Sequence, residues 1–310
     1  MRTYTEYPSR TRQRRRTKRR RTERPIIILA AAALLLVCIS VVGIKLLNRP
    51  APDPHEGQVY LYDGFDWVWM TPLEGVPVNE LTEEYFSSVS GKPSYIGSDY
   101  YALRGIDVSE HQKDIDWQKA SSGIDFAFIR VGRRGSTEGG LFDDVYFERN
   151  LNGARENGLM TGVYMFSQAV NVAEAIEEAH YILDRIDGWE IALPIVYDWE
   201  KIDESNSRTL EVSMETRTDC AVAFCETIKN AGYEPCVYFN RNLGYYGYDL
   251  SRLTAYMSWF SLPESGFPNF YYAVDGWQYS FTETVPGISV ETDMSLWFVP
   301  LYKDEDEAQS

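Results

Sequence analysis

The 310-residue sequence predicts an α/β fold, an irregular TIM-like barrel preceded by a single transmembrane helix and a short β-rich stalk. Three observations predict it. Short apolar segments alternate with helix-like segments from Arg104 to about residue 250, as in parallel strands joined by helical crossovers. Five such strand–helix units in succession favour a closed barrel over an open sheet. An uncharged apolar run precedes them near the N-terminus.

The apolar run covers residues 26–44 and predicts a membrane-spanning helix. At about 1.5 Å per residue, these 19 residues span roughly 28 Å, close to the hydrocarbon thickness of a bilayer. Eleven basic residues precede the run, whereas only Lys45 and Arg49 follow it closely. The positive-inside rule therefore predicts a basic cytoplasmic tail (1–25), a transmembrane helix (26–47) in the cell membrane and an extracytoplasmic remainder. A cleaved signal peptide is the alternative, but the run is long and lacks a clear small-x-small cleavage site.

The charge distribution agrees with this division. The net charge of −16 combines a strongly basic tail with residues 51–310, which hold 17 basic and 44 acidic residues. An acidic domain does not favour nucleic acid as a partner. The arginine-rich tail could bind RNA, but anionic inner-leaflet lipid suits it better.

The elements after the membrane run follow in a regular order. Residues 48–103 begin with a proline-rich linker and continue with aromatic, alternating stretches, which indicate a short β-rich stalk or a flap packed on the main domain. Residues 104–300 form the predicted barrel, and 301–310 are an acidic tail. The predicted strands of the βα units are 105–109, 126–132, 161–167, 193–200 and 235–240. The clearest predicted helices are 145–158, 172–186 and 216–232. Later strands are expected within 271–280 and 291–298.

Cysteine and histidine usage gives little support for a metal centre. The spacing of Cys220, Cys225 and Cys236 fits no zinc motif, and the chain has three histidines. We therefore expect no metal and no cofactor. A disulfide that involves Cys236 and a set of three buried thiols both remain open.

Acidic residues occur at the predicted strand ends, where a parallel barrel places its reactive side chains. Asp198 and Glu200 are two residues apart, so they face the same side of a strand with Cα atoms about 6.6 Å apart. Two neighbouring carboxylates repel, which raises one pKa and supplies the acid and base that a glycosidase needs. Asp107 and Asp293 are the further acidic candidates.

Other polar and aromatic residues at the strand ends admit two interpretations. Trp277–Gln278–Tyr279 is either a packed strand end or a sugar-binding platform, since aromatic faces stack on pyranose rings. Asp116 is expected to cap the first helix. Arg133 and Arg134 lie between glycines but lack the spacing of a phosphate loop, so we expect a loop turn there.

Together these stretches resemble glycoside hydrolase family 25, the lysozyme-type muramidases. The resemblance covers residues 104–299, and the matching motifs occur in the family's order and spacing. They are RGIDVSEHQKDIDW, FAFIRVG, YFERNLNGARENGLMTGVYMFSQAV, LPIVYDWE, AGYEPCVYFN, WQYS and ETDMS. The family's fold has five β/α units followed by three β-strands.

The resemblance implies an activity and a role for each site residue. The family cuts the β-1,4 bond between N-acetylmuramic acid and N-acetylglucosamine in peptidoglycan glycan strands. Glu200 matches the proton donor, Asp198 the carboxylate that assists at the anomeric side, and Asp107 and Asp293 two further acidic residues of the site. The expected substrate-binding residues are Tyr164, Phe166, Tyr238, Trp259, Trp277, Gln278 and His111.

Several positions depart from the family pattern. Lys113 stands where glycine is usual, and the strand around Trp259 lacks the usual Trp-x-Ala-x-Tyr. Val290, Thr292 and Ser295 are substitutions in the last strand, but all four acidic positions are kept. Two other functions therefore remain open: a catalytically silent wall-binding or assembly protein, and a hydrolase of another aminosugar polymer such as chitin.

Overall fold

The computed structural model describes residues 23–47, 53–263 and 265–301. It divides the chain into two compact units, 1–56 and 57–310. In the first unit, helix α1 (Glu23–Leu47) contains a segment, Ile26–Lys45, that is long and apolar enough to cross a bilayer. Its mean hydropathy is 3.0 and none of that window is buried. The predicted basic tail at 1–25 and acidic tail at 301–310 lie almost wholly outside the described residues.

The second unit is built around a closed barrel, as the sequence predicts. Eight strands within the described residues close it, and the first seven run parallel to one another. The last strand is antiparallel to both of its neighbours. The barrel strands are β5 (Tyr100–Val108), β6 (Phe126–Arg134), β8 (Met160–Ser167), β9 (Ile195–Trp199), β10 (Pro235–Asn240), β11 (Met257–Ser261), β12 (Gly276–Glu283) and β13 (Thr292–Pro300). A short strand, β7 (Leu141–Asp143), pairs with β6 outside the barrel.

Helices follow the first five barrel strands and then stop. They are α2 (Trp117–Ala120), α3 (Phe147–Glu156), α4 (Val172–Ile186), α5 (Met214–Asn230) and the helical turns Leu243–Gly247 and Leu250–Arg252. Gly158 and Gly232 have φ of +79° and +90° just beyond α3 and α5, as expected of helix C-caps. Asp116 caps α2 by accepting a hydrogen bond from the Lys119 backbone N–H.

Alternating residues of the strands fill the lumen of the barrel. Its core is aromatic and includes Phe126, Phe128, Trp259 and Trp297. Glycines on facing strands leave the room that these rings need, since a Cβ at Gly276 would meet both Trp259 and Trp297. The lower lumen is therefore solid, and space remains only at one end.

Residues 57–99 pack on the barrel as a cover. They form two hairpins, β1 (Val59–Tyr62) with β2 (Trp67–Met70), and β3 (Phe86–Val89) with β4 (Lys92–Tyr95). Phe86 lies edge-on to Trp277 and Phe298, with ring centroids 5.6 and 6.0 Å away. Because the last three barrel strands lack the helical layer of the first five, this segment covers their apolar outer face.

One local expectation is wrong. Arg133 and Arg134 do not form a loop turn: both belong to β6, and Arg134 is buried in an ion pair with Glu178 at 2.6 Å. The strand expected within 271–280 is present: β12 starts at Gly276, and the residues before it are irregular except for a single bridge between Tyr272 and Val78.

Candidate active site

A cavity of about 400 Å³ opens at the end of the barrel where the parallel strands terminate. Asp293 reaches the same end because β13 is antiparallel, so that its first residues lie beside the last residues of β5; Asp293 pairs directly with Asp107. Ten of the eleven predicted site residues line this cavity: Asp107, Asp198, Glu200, Asp293, His111, Tyr164, Phe166, Tyr238, Trp259 and Gln278.

Trp277 is the exception, and its prediction as a sugar platform is wrong. Its neighbour Gln278 faces the lumen, so Trp277 faces outward because successive strand residues alternate. The side chain is fully buried against Phe86 and donates a hydrogen bond to the carbonyl oxygen of Leu262 at 3.0 Å. A ring with no accessible face cannot stack on a sugar.

Gln278 connects two of the four carboxyl groups. Its amide nitrogen donates to Asp107 Oδ2 at 2.9 Å and to Asp293 Oδ2 at 3.2 Å. Its oxygen accepts from the Tyr238 hydroxyl at 2.7 Å. Burial raises the pKa of Asp293 to about 7, and burial together with the Asp293 charge holds the pKa of Asp107 well above its usual range. The hydrogen bond between the two carboxyl groups requires one of them to keep its proton.

Asp198 and Glu200 lie across the cavity from this pair. Asp198 is buried and is the penultimate residue of β9, and Glu200 directly follows that strand. Burial raises the pKa of both groups, and the charge of Glu200 raises that of Asp198 further. Arg130 opposes this shift at Asp198. Asp198 and Glu200 therefore cannot both ionise at low cost, and Arg130 favours the charged form of Asp198.

Gln168 fixes the backbone at the proposed acid. The side chain is fully buried, and its amide nitrogen donates to the carbonyl oxygen of Glu200 at 2.6 Å and to that of Ser167 at 2.9 Å. Trp199, between the two carboxylates, faces outward and donates to the Ala169 carbonyl oxygen at 2.9 Å. These contacts fix the backbone on both sides of the Glu200 side chain.

Four further residues of the cavity wall were not among the predicted site residues: Arg130, Ser109, Gln112 and Phe281. Arg130 is the most informative of them, because it is buried and forms ion pairs with Asp144 at 2.8 Å and Glu110 at 3.0 Å. A signal was available: this arginine interrupts an apolar strand two residues after Phe128, which places both on the lumen face.

The cysteines resolve the alternatives that the sequence left open. Cys220, Cys225 and Cys236 are free and buried, and Cys236 lies in the lumen core. In the part of the chain that the structure describes, no cluster of three or more His, Cys, Asp or Glu side chains is arranged to hold a metal ion.

A comparison with protein families supports the resemblance. Residues 106–288 match the family described as Glycosyl hydrolases family 25, and the chain belongs to that family. The match contains Asp107, Asp198 and Glu200 and ends before Asp293.

Individual relatives share parts of the chain. The uncharacterized protein YegX of Escherichia coli K12 is 37% identical over 117 residues, 36% of this chain and 40% of that protein. The autolytic lysozyme of Clostridium acetobutylicum is 25% identical over 194 residues, 62% of this chain and 55% of that protein. The modular autolysin LytC of Streptococcus pneumoniae, solved with a synthetic peptidoglycan ligand, shares the fold. Its TM-score is 0.55 at 24% identity, over 78% of this chain and 57% of that one. The chain thus spans about half the length of these relatives.

Proposed function

We propose that this protein is a membrane-anchored N-acetylmuramidase that hydrolyses the β-1,4 bond between N-acetylmuramic acid and N-acetylglucosamine in peptidoglycan. The observation that carries the proposal is the convergence of four carboxyl groups on one cavity at the end of the barrel. The names of the autolytic lysozyme and of the autolysin LytC support the same substrate class.

In the proposed mechanism, Glu200 is the general acid. Its raised pKa keeps the carboxyl group protonated at mildly acidic pH, and it donates this proton to the glycosidic oxygen as the bond to the anomeric carbon breaks. Positive charge then develops on the sugar ring, and the ionised form of Asp198 stabilises it. Water completes the hydrolysis and a proton returns to Glu200.

The remaining cavity residues position the substrate. Asp198 Oδ1 is buried without a hydrogen-bond partner, so it is available to a polar group of the sugar. Tyr164 and Phe166 line the cavity wall with aromatic rings, and His111 lies exposed at the rim. Trp259 also contacts the cavity, but it is buried against Phe128 and so supports the wall rather than stacking on a sugar. Asp107 and Asp293, which share a proton, can donate to or accept from sugar hydroxyl groups.

Helix α1 supplies the proposed membrane anchor, with the N-terminus in the cytoplasm and the barrel outside. The hydropathy of Ile26–Lys45 supports this. An integral anchor keeps the protein in the membrane pellet after alkaline carbonate extraction. Release into the supernatant, or an N-terminus that starts beyond Lys45 in the mature protein, would indicate a cleaved signal peptide instead.

The test of the activity compares full-length wild-type protein in detergent with Glu200→Gln. Release of reducing ends from purified peptidoglycan should fall at least about a hundredfold in the variant, because an amide cannot act as the acid. The matched control is Glu211→Gln, an exposed glutamate outside the cavity, which should retain wild-type activity. Equal activity in wild type and Glu200→Gln, or no activity in either, would refute the proposal. The second result would favour a silent wall-binding protein.

A further inference from the structure

The hairpin of β1 and β2 carries an unusual concentration of exposed aromatic residues on one side. Tyr60, Tyr62, Trp67 and Trp69, here called the aromatic face, occupy alternate positions and are paired across the hairpin. Their exposed fractions are 55%, 37%, 58% and 46%. The alternate residue Leu61 is buried on the opposite side. The hairpin therefore has one side packed on the protein and one aromatic side in solvent.

The four rings form a continuous row. Tyr60 lies 5.0 Å from Trp69 and 5.4 Å from Trp67, and Trp67 lies 5.9 Å from Tyr62, measured between ring centroids. Arg241 closes the row, with its guanidinium 5.5 Å from the Tyr62 ring. The row is thus an ordered surface and not a set of isolated exposed rings.

The hairpin is attached at the catalytic end of the barrel. Arg241 directly follows β10 and comes three residues after Tyr238, which lines the cavity. The hydroxyl group of Tyr246, in the helical turn after β10, donates a hydrogen bond to Asp63 in the hairpin loop. Both attachments are to the segment that leaves the carboxyl end of β10, which is the end where the cavity opens.

The hairpin loop is internally fixed. Asp63 Oδ1 accepts hydrogen bonds from the backbone N–H groups of Phe65 at 2.8 Å and Asp66 at 2.9 Å, and Asp66 caps the Trp67 N–H at 2.8 Å. A groove of about 240 Å³ runs between Tyr60, Tyr62 and Trp67 on one side and residues 267–271 on the other. A preorganised surface of this kind loses little entropy when it binds a ligand.

We propose that the aromatic face is an outer glycan-binding surface that extends the catalytic cavity along the polymeric substrate. This inference rests on the proposed function. The C–H faces of pyranose rings pack on aromatic side chains, and the tyrosine hydroxyl groups can bond sugar hydroxyls. A glycan strand is longer than the cavity, and the hairpin is attached to the segment that leaves β10 at the end of the barrel where the cavity opens. The hairpin precedes residues 106–288 and so lies outside the part of the chain that matches the family.

Enzyme kinetics on substrates of two lengths test the proposal. The probes are soluble glycan strands of alternating N-acetylglucosamine and N-acetylmuramic acid, one a tetrasaccharide and one of at least twelve sugars. Trp67→Ala should raise KM for the long strand about fivefold, with kcat unchanged, because one stacking ring is lost. KM for the tetrasaccharide should not change, since a short strand fits within the cavity. Trp67→Tyr, which keeps a ring, should recover most of the affinity.

The matched control is Phe65→Ala. Phe65 is 73% exposed at the tip of the same hairpin but is not part of the aromatic face. It should bind the long strand like wild type. An equal loss in Phe65→Ala and Trp67→Ala would indicate general apolar contact, with a bilayer or a second copy of the chain, and would overturn the proposal. An equal KM change for both strand lengths would also overturn it.

A binding measurement separates this inference from the proposed function. In the Glu200→Gln background, the full-length protein in detergent should bind the long strand about fivefold more tightly than its Trp67→Ala derivative. If wild-type protein cleaves neither strand but this difference is present, the muramidase proposal fails and the glycan surface stands. If cleavage is normal and the difference is absent, the glycan surface fails alone.

Discussion

At the scale of single residues, the cavity concentrates more carboxyl groups than can be ionised together at low cost. Asp107, Asp198, Glu200 and Asp293 all have raised pKa values, and burial is the main cause at each. For a carboxyl group with a raised pKa, the native state binds more protons than the unfolded state. Stability contributed by these groups therefore falls as pH rises.

This charge repulsion gives a prediction for Asp293→Asn. The pKa of Asp293 is about 7 in the native protein, against about 3.9 when unfolded, so its ionisation destabilises the fold as pH rises through that window. Asparagine cannot ionise. The difference in Tm, variant minus wild type, should therefore be larger at pH 8 than at pH 4.5 when both proteins are measured by thermal unfolding. Asp184→Asn, an exposed control on α4, should show the same offset at both pH values. A pH-independent offset for Asp293→Asn would contradict the account.

The sequence located the carboxylates but not every neighbour. Asp198 and Glu200 could be placed because the period of a strand puts both on one face. The same rule should have separated Trp277 from Gln278, since adjacent strand residues cannot both face the lumen. The sequence does not show which segment covers the outer face of the barrel. Phe86, about 190 residues earlier, packs on the outward-facing side of Trp277 and buries it.

At the scale of elements, the loop after β5 contains a residue in a conformation that favours glycine. Lys113 has φ of 56° and ψ of −135°, directly after the turn Glu110–Gln112 whose residues approach the cavity. The family resemblance implies glycine at this position, and the positive φ angle of Lys113 explains that preference. A side chain in this region costs on the order of 1–3 kcal/mol.

Lys113→Gly should therefore stabilise the protein. The relief of strain exceeds the added entropy of glycine in the unfolded chain, so we expect a gain of about 1 kcal/mol and a rise in Tm of about 2 °C. The matched control is Lys201→Gly, an exposed loop position whose φ is not positive, which should lower Tm slightly. Equal losses in both variants, measured by differential scanning calorimetry, would show that Lys113 is not strained.

The order of strands and helices could be predicted because hydrophobic periodicity is a local property of the sequence. The partners of individual strands and side chains could not be predicted, because they are distant in sequence. Arg134 looked like part of a glycine-flanked turn, but β7 returns beside β6 and extends the strand through it. Its charge is compensated by Glu178 on α4, 44 residues later, and a local sequence pattern cannot predict an ion pair over that separation. The sequence predicted that helices are absent after residue 250. For residues 48–103 it left two alternatives open, a stalk and a flap packed on the barrel.

At the scale of the whole molecule, the chain combines a family 25 barrel with an apolar helix and an aromatic hairpin that lies outside the matched residues. The acidic charge of residues 51–310 would disfavour tight binding to an anionic wall, so retention would fall to the anchor and to uncharged contacts such as the aromatic face. The three parts then have separate tasks in the proposed function: retention at the membrane, capture of a glycan strand, and hydrolysis.

The measurement that tests the central claim most directly is the identity of the sugar at the new reducing end. Purified peptidoglycan is digested with full-length protein, reduced with borohydride and analysed by mass spectrometry. The account predicts reduced N-acetylmuramic acid in the wild-type digest and none above background with Glu200→Gln. Reduced N-acetylglucosamine at the new ends, or the same products from both proteins, would contradict it.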